Sequence, residues 1–201
     1  MTDHDSPPAP DDAAPGLLNA LAAYRTARRA LLGTIGLGRS NRDPLAEVAE
    51  HLVLALWGGR LAASRVQADY DLVAADGEFV QVKYLANPSD GWPNEHVVKR
   101  VPGVHWYVLV LYEAFEVTGV LAFPPDLTDI CAALGKRHSD RSATLQFTRR
   151  NWWAVRDGAD AFRRLGMRVW LPPFPGRGGA TDGAAAGAGA GPTTSGRGAV
   201  G

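Results

Sequence analysis

The stretch from Tyr70 to Tyr84, YDLVAADGEFVQVKY, constrains the fold of this chain more than any other. Apolar and polar residues alternate on either side of Asp76-Gly77, the signature of a β-hairpin. Successive side chains on a strand point to opposite faces, so Gln81 and Lys83 share a face with Phe79, while Val80 and Val82 face the other way. The loop length sets the register. A two-residue loop at Asp76-Gly77 would pair Ala75 with Glu78, set Asp71 opposite Val82 and put its carboxylate on the wrong face. A three-residue loop, Ala75-Asp76-Gly77, puts Gly77 in the left-handed position that such loops favour and sets Asp71 opposite Gln81. The glycine favours this second register. One hairpin then presents a carboxylate, an amide oxygen and an ammonium on one face, the equipment for a hard metal ion beside a phosphodiester. An ordinary solvated hairpin with a polar outer face fits the same spacing.

Upstream, Asn41, Arg42 and Asp43 precede Pro44, which predicts a helix starting at the proline with Asp43 as its cap. Leu45, Val48, Ala49, Leu52, Val53 and Leu56 follow at helical spacing, and Gly58-Gly59 supplies the stop. At roughly 100° per residue this apolar stripe leaves Glu47 on the opposite, solvated face and Glu50 on the stripe's edge. There Glu50 reads equally well as a carboxylate looking into a cleft or as a solvated helix charge.

The run DPLAEVAEHLVLALWGGRLAASRVQADYDLVAADGEFVQVKY resembles the nuclease core of the PD-(D/E)xK superfamily, the restriction-endonuclease-like fold, and within it a bacterial group with a Q-x-K variant of the motif. In that core a helix carries a glutamate, a strand delivers an aspartate and the next strand carries (D/E)-x-K. The matching positions are Glu50, Asp71 and Gln81-x-Lys83. The resemblance is specific over residues 39–85 and general over 104–165. It implies an α/β fold with a mixed central β-sheet flanked by helices, and Mg2+- or Mn2+-dependent hydrolysis of DNA. It also implies Asp71, Gln81 and Glu50 as metal ligands, with Lys83 as the fourth catalytic residue. The sequence departs from the family pattern at Gln81, whose amide oxygen can ligate a metal but brings no charge and cannot act as a base. That departure supports an alternative, a nuclease-fold module that binds DNA or a protein without cutting.

Composition narrows the remaining classes. The 21 basic and 21 acidic residues cancel, so nucleic-acid binding must come from local patches and a histone-like global field is excluded. The single cysteine, Cys131, rules out an internal disulfide and a thiolate zinc site, and its apolar neighbours mark it as a core residue. The five histidines show no HxH, HExxH or His-Asn-His spacing. Walker, Rossmann and GxSxG patterns are also missing, which removes nucleotide-triphosphatase, dehydrogenase and serine-hydrolase readings. No apolar run approaches the ~18 residues that span a bilayer. The acidic, proline-rich start does not read as a signal peptide, so a cytoplasmic location with no membrane partner is expected.

Residues 1–15 and 176–201 are expected to be disordered, the first rich in Pro, Asp and Ala, the second in Gly and Ala. Residues 16–175 form a single domain in this reading, with an N-terminal helix and linker over 16–38 and the motif core over 39–85. Leu17, Leu21, Tyr24, Ala27 and Leu31 mark the N-terminal helix as amphipathic. Residues 86–103 read as one long loop holding Trp92, His96, Lys99 and Arg100, and loops of that length are often functional. Val104–Tyr112 and Val117–Phe123 read as buried strands, Leu127–Leu134 and Ala159–Leu165 as short helices. The basic segment 136–150 and the aromatic NWWAV after it suit backbone contacts and base stacking; a solvated strand followed by two core tryptophans fits equally. Lys99, Arg100, Arg137, His138 and Arg141 are the candidate DNA contacts, and the reading leaves room for a homodimer.

Overall fold

The computed structural model describes residues 10–63, 69–136 and 142–174. Two helices come first, α1 (Pro10–Gly33) and α2 (Pro44–Trp57). Three strands follow, β1 (Arg60–Leu61), β2 (Leu72–Val73) and β3 (Phe79–Asn87). Strand β4 (His96–Lys99) precedes β5 (Trp106–Glu113) and β6 (Glu116–Phe123). The chain continues through α3 (Thr128–Ala133), β7 (Thr144–Phe147), α4 (Arg149–Asp157), α5 (Ala159–Arg164) and β8 (Arg168–Trp170). A six-stranded mixed sheet in the order β1-β2-β3-β5-β6-β8 forms the centre, and β4 and β7 pair in a separate ribbon.

The parallel pair in this sheet is β3 and β5, and parallel neighbours need a crossover. Residues 88–105 supply it. Residues 86–103, expected to be one loop, contain β4, which leaves the main sheet and pairs antiparallel with β7. Val98 of β4 is fully buried beside Leu85, Leu109 and Leu145, so the crossover packs on one face of the sheet. That face also receives Trp152 and Val155 of α4, Ile130 and Cys131 of α3, and Phe162 of α5. The other face carries Val80, Val82, Val108, Val110 and Val120, covered by Ala49 and Val53 of α2. The near-continuous apolar run of β5 follows from this double burial.

The helix signals of the sequence act as expected at α2. Asp43 Oδ1 accepts from the Leu45 N–H at 2.9 Å, Pro44 occupies the first turn, and Gly58 follows the last residue with φ 80°. Close packing fixes a second glycine: a Cβ on Gly119 of β6 would lie 2.6 Å from the Trp152 ring. Several expectations are corrected. Helix α1 begins at Pro10, ahead of the boundary expected after residue 15. The strand expected before the two tryptophans is β7, and the tryptophans themselves lie in α4, which starts at a capping box of Thr148 and Asn151. Only Trp152 is core; Trp153 is 44 % exposed, with the Arg149 guanidinium 4.9 Å from its ring centre. No helix among the described residues is long and apolar enough to cross a membrane.

Candidate functional site

The hairpin adopts the three-residue loop. Leu72 pairs with Val80 and Val73 with Phe79, the Ala74 N–H donates to Glu78 O at 2.9 Å, and Gly77 has φ 91°. The Gly77 N–H closes the turn on Ala74 O at 3.0 Å, and Asp76 Oδ1 accepts from the Glu78 N–H at 3.1 Å. This register carries Asp71 toward Gln81. The ladder changes at that point, because β2 is short and β3 runs on past it, paired only with β5 on its other edge. The Asp71 N–H donates to Val80 O at 2.9 Å, and Asp71 Oδ2 accepts from the Val82 N–H at 2.7 Å. A carboxylate oxygen thus stands where a partner strand's carbonyl would have satisfied that amide. One oxygen of Asp71 is committed to this bond, and the carboxylate is pinned where β2 departs from β3.

Lys83 is exposed and Gln81 half-buried, on the face opposite Val80 and Val82. Two residues that the sequence did not single out for this site join them. Tyr107 is level with Gln81 across the parallel register, so the two side chains share a face. His96, at the start of β4, lies above it with a ring nitrogen 2.7 Å from the Tyr107 hydroxyl. Burial lowers the His96 pKa below its ordinary 6.5, and the Lys83 ammonium lowers it further. Burial, then the charge of Asp71, pushes the Tyr107 phenol up to about 12. At neutral pH the pair is therefore a neutral imidazole hydrogen-bonded to a neutral phenol, between a carboxylate and an ammonium. Tyr107 was hidden inside an apolar run and His96 inside an apparent loop; the signal that could have found His96 is its period-two alternation with Val98.

Glu50 does not join this group. Helix α2 covers the face of Val80 and Val82, so Glu50 approaches the sheet from the side opposite Gln81 and Lys83. Its carboxylate is buried with Oε1 3.6 Å from Arg42 Nη2. Glu47, expected in solvent, is 1 % exposed and 3.1 Å from Arg42 Nη1. Both placements have one cause: α1 and the loop bearing Arg42 cover the flank of α2 that the apolar stripe left polar. Tyr84 adds to this side through a short hydrogen bond to Asp43, which raises the phenol to about 12.

The expected DNA contacts divide. Lys99 is exposed on β4 and alternates with buried Val98, so it points away from His96 and the site. Arg100 is exposed just after it, with its N–H donated to Ala143 O at 2.7 Å. Arg137, His138 and Arg141 lie outside the described residues. Among the described residues, no group of three or more His, Cys, Asp or Glu could hold a metal ion. The chain matches no family model and no curated protein.

Proposed function

We propose that the protein is a metal-dependent deoxyribonuclease of the PD-(D/E)xK type, hydrolysing DNA phosphodiester bonds with Mg2+ or Mn2+. The observation that carries this reading is the odd-length turn, which sets Asp71 against Gln81 with Lys83 two residues further along the same face. The donor set suits a hard ion, since Mg2+ commonly takes one or two protein carboxylates and fills its other positions with water and substrate phosphate. Asp71 and the Gln81 amide oxygen would hold it. A bound ion would supply a Lewis acid and a water of lowered pKa. Asp71 is oriented for this by the Val82 amide. Lys83 sets a cation against the charge that grows on the transferred phosphate. His96, neutral and tied to Tyr107, adds a polar wall without a competing positive charge.

A second reading, a nuclease-fold module that binds DNA or a protein without cutting, has its own support: Gln81 adds no charge, and Glu50 sits with Arg42 on the far side of the sheet. Plasmid nicking with Mg2+ by wild type and Lys83→Ala separates the two. The nuclease reading expects Lys83→Ala to lower turnover by two to three decades, about 3 to 4 kcal/mol, with DNA affinity nearly unchanged. Normal cleavage by the variant would refute the mechanism. Absence of cleavage by both, with weaker DNA binding by Lys83→Ala, would establish the binding module.

A further inference from the structure

The end of α1 and the loop that follows it gather positive charge. Between residues 13 and 42 the chain carries five arginines and no aspartate or glutamate, although its charges cancel overall. Arg42 is taken up by Glu47 and Glu50. Arg25, Arg28, Arg29 and Arg39 have no carboxylate within ion-pair distance among the described residues. The loop brings Arg39 back beside the helix. The Leu37 N–H donates to Leu32 O at 2.8 Å, and Arg28 donates to Ser40 O at 2.6 Å and to Arg42 O. A Cβ on Gly38 would touch Arg29 O at 3.7 Å. The four arginines, with Ser40 and Asn41, line a hollow of about 490 Å³. Arg28 fastens the loop, but carbonyl partners leave its charge in place. A neighbouring hollow of about 480 Å³ shares Arg25, Arg28 and Asn41 and continues to Tyr24, which is 54 % exposed.

We propose that this corner binds a single-stranded nucleic acid, with Arg25, Arg29 and Arg39 on backbone phosphates and a base stacked on Tyr24. Like charges crowded into a hollow repel one another, and a polyanion relieves that repulsion. The guanidinium fork matches phosphate oxygens in pairs, and a basic groove beside an aromatic face holds single strands without reading their sequence. A lipid surface fits less well. An interfacial helix keeps its charges on the face opposite its apolar residues. Here, at about 100° per residue, Arg28 falls between Leu17 and Leu21, and Arg25 between Leu21 and Leu18. Seating those leucines in lipid would carry both charges toward the acyl chains. Helix α1 packs on α2, which covers the Val80 and Val82 face, so this corner is on the side of the sheet away from Lys83. Binding here does not depend on cleavage there.

Fluorescence anisotropy of a labelled single-stranded oligonucleotide, titrated with the full chain in EDTA at several salt concentrations, tests this without any cleavage. Combining Arg25→Ala, Arg29→Ala and Arg39→Ala should weaken affinity at least about thirtyfold and lower the salt slope by about two, since each single-strand phosphate contact contributes ~0.7. Far-UV circular dichroism and the unfolding midpoint should stay unchanged, because all three side chains are exposed and Arg28 is kept. Tyr24→Ala should cost about tenfold on the single strand, as loss of one stacked base does, and leave duplex affinity within about twofold. Arg164→Ala, at an exposed position on α5, should change nothing. Wild type that binds anionic vesicles but no oligonucleotide would overturn the proposal in favour of a lipid surface. Wild-type affinity and slope in the triple variant, an equal loss in Arg164→Ala, or a Tyr24→Ala variant without effect would each overturn it as well.

Discussion

The two faces of β3 hold comparable numbers of polar groups and use them in opposite ways. On the α2 face they are closed off by one another. Glu47 and Glu50 lie against Arg42, and Tyr84 is bonded to Asp43. Further along the same face, Arg168 is stacked 4.1 and 4.6 Å from the Trp57 and Trp106 rings, with Glu78 accepting from the Trp106 indole at 2.6 Å. On the other side Asp71 is bonded to the Val82 amide, His96 to Tyr107, and Lys83 remains exposed beside half-buried Gln81. Helix α2 packs on the first face through Ala49 and Val53, whereas on the second face His96 stands at the start of β4, two residues before buried Val98. Charge under a helix must be neutralised in place, while charge at the end of a short crossover strand can stay available to a ligand.

The largest expected effect contrasts the two carboxylates. Asp71→Asn should lower metal-dependent cleavage by at least two decades, because it removes the charged ligand while an amide oxygen still accepts from Val82. Glu50→Gln should leave turnover within severalfold and instead cost about 1 to 3 kcal/mol of stability, the range for a buried charged hydrogen-bonding group. Urea unfolding beside single-turnover cleavage on both variants reads this. A Glu50→Gln variant with native stability and no cleavage would move the site to the α2 face and break the comparison.

A smaller effect is expected at Gln81. Replacing it with Glu adds a second carboxylate beside Asp71, so Mg2+ affinity should rise, by about tenfold for ~1.4 kcal/mol of added attraction. Cleavage should be kept or increased. Calorimetric titration measures this directly, and unchanged affinity would remove Gln81 from the ligand set.

The smallest effect is on pH dependence. The folded-state pKa of His96 lies below its unfolded value, so its contribution to stability is fully present above about pH 6.5. That contribution is lost as pH falls through the lowered folded value. Urea midpoints for wild type and His96→Gln should therefore converge as the solution is acidified from pH 7.5. Parallel curves across the range would mean that burial and Lys83 do not hold the imidazole neutral.

The legibility of these features follows the range of the forces behind them. Helix α2 could be read to the residue at its start because a cap, a proline and an apolar stripe are all local. The hairpin register was equally readable, since Gly77 in the left-handed region admits an odd loop and the register then decides which face Asp71 joins. Tyr107 and His96 were not readable as site residues. One looks like part of a buried strand and the other like part of a loop, and only the crossover brings them within 2.7 Å. Glu47 was misplaced for a related reason. The periodicity of α2 reports the face turned to the sheet and is silent about a second element covering the opposite flank.

The sequence by itself determined the hairpin, its odd-length turn, the start and stop of α2, and the alternation that puts Gln81 and Lys83 on one face. These depend on backbone dihedral preferences and on side-chain periods of 2 and 3.6, which a few neighbouring residues settle. The tertiary structure decided which face of the sheet each helix covers. It thereby decided that Glu50 is neutralised beside Arg42 while Lys83 stays open beside His96 and Tyr107. That choice depends on how strands β3 and β5, made parallel by a crossover, expose or bury each face, and no local pattern encodes it.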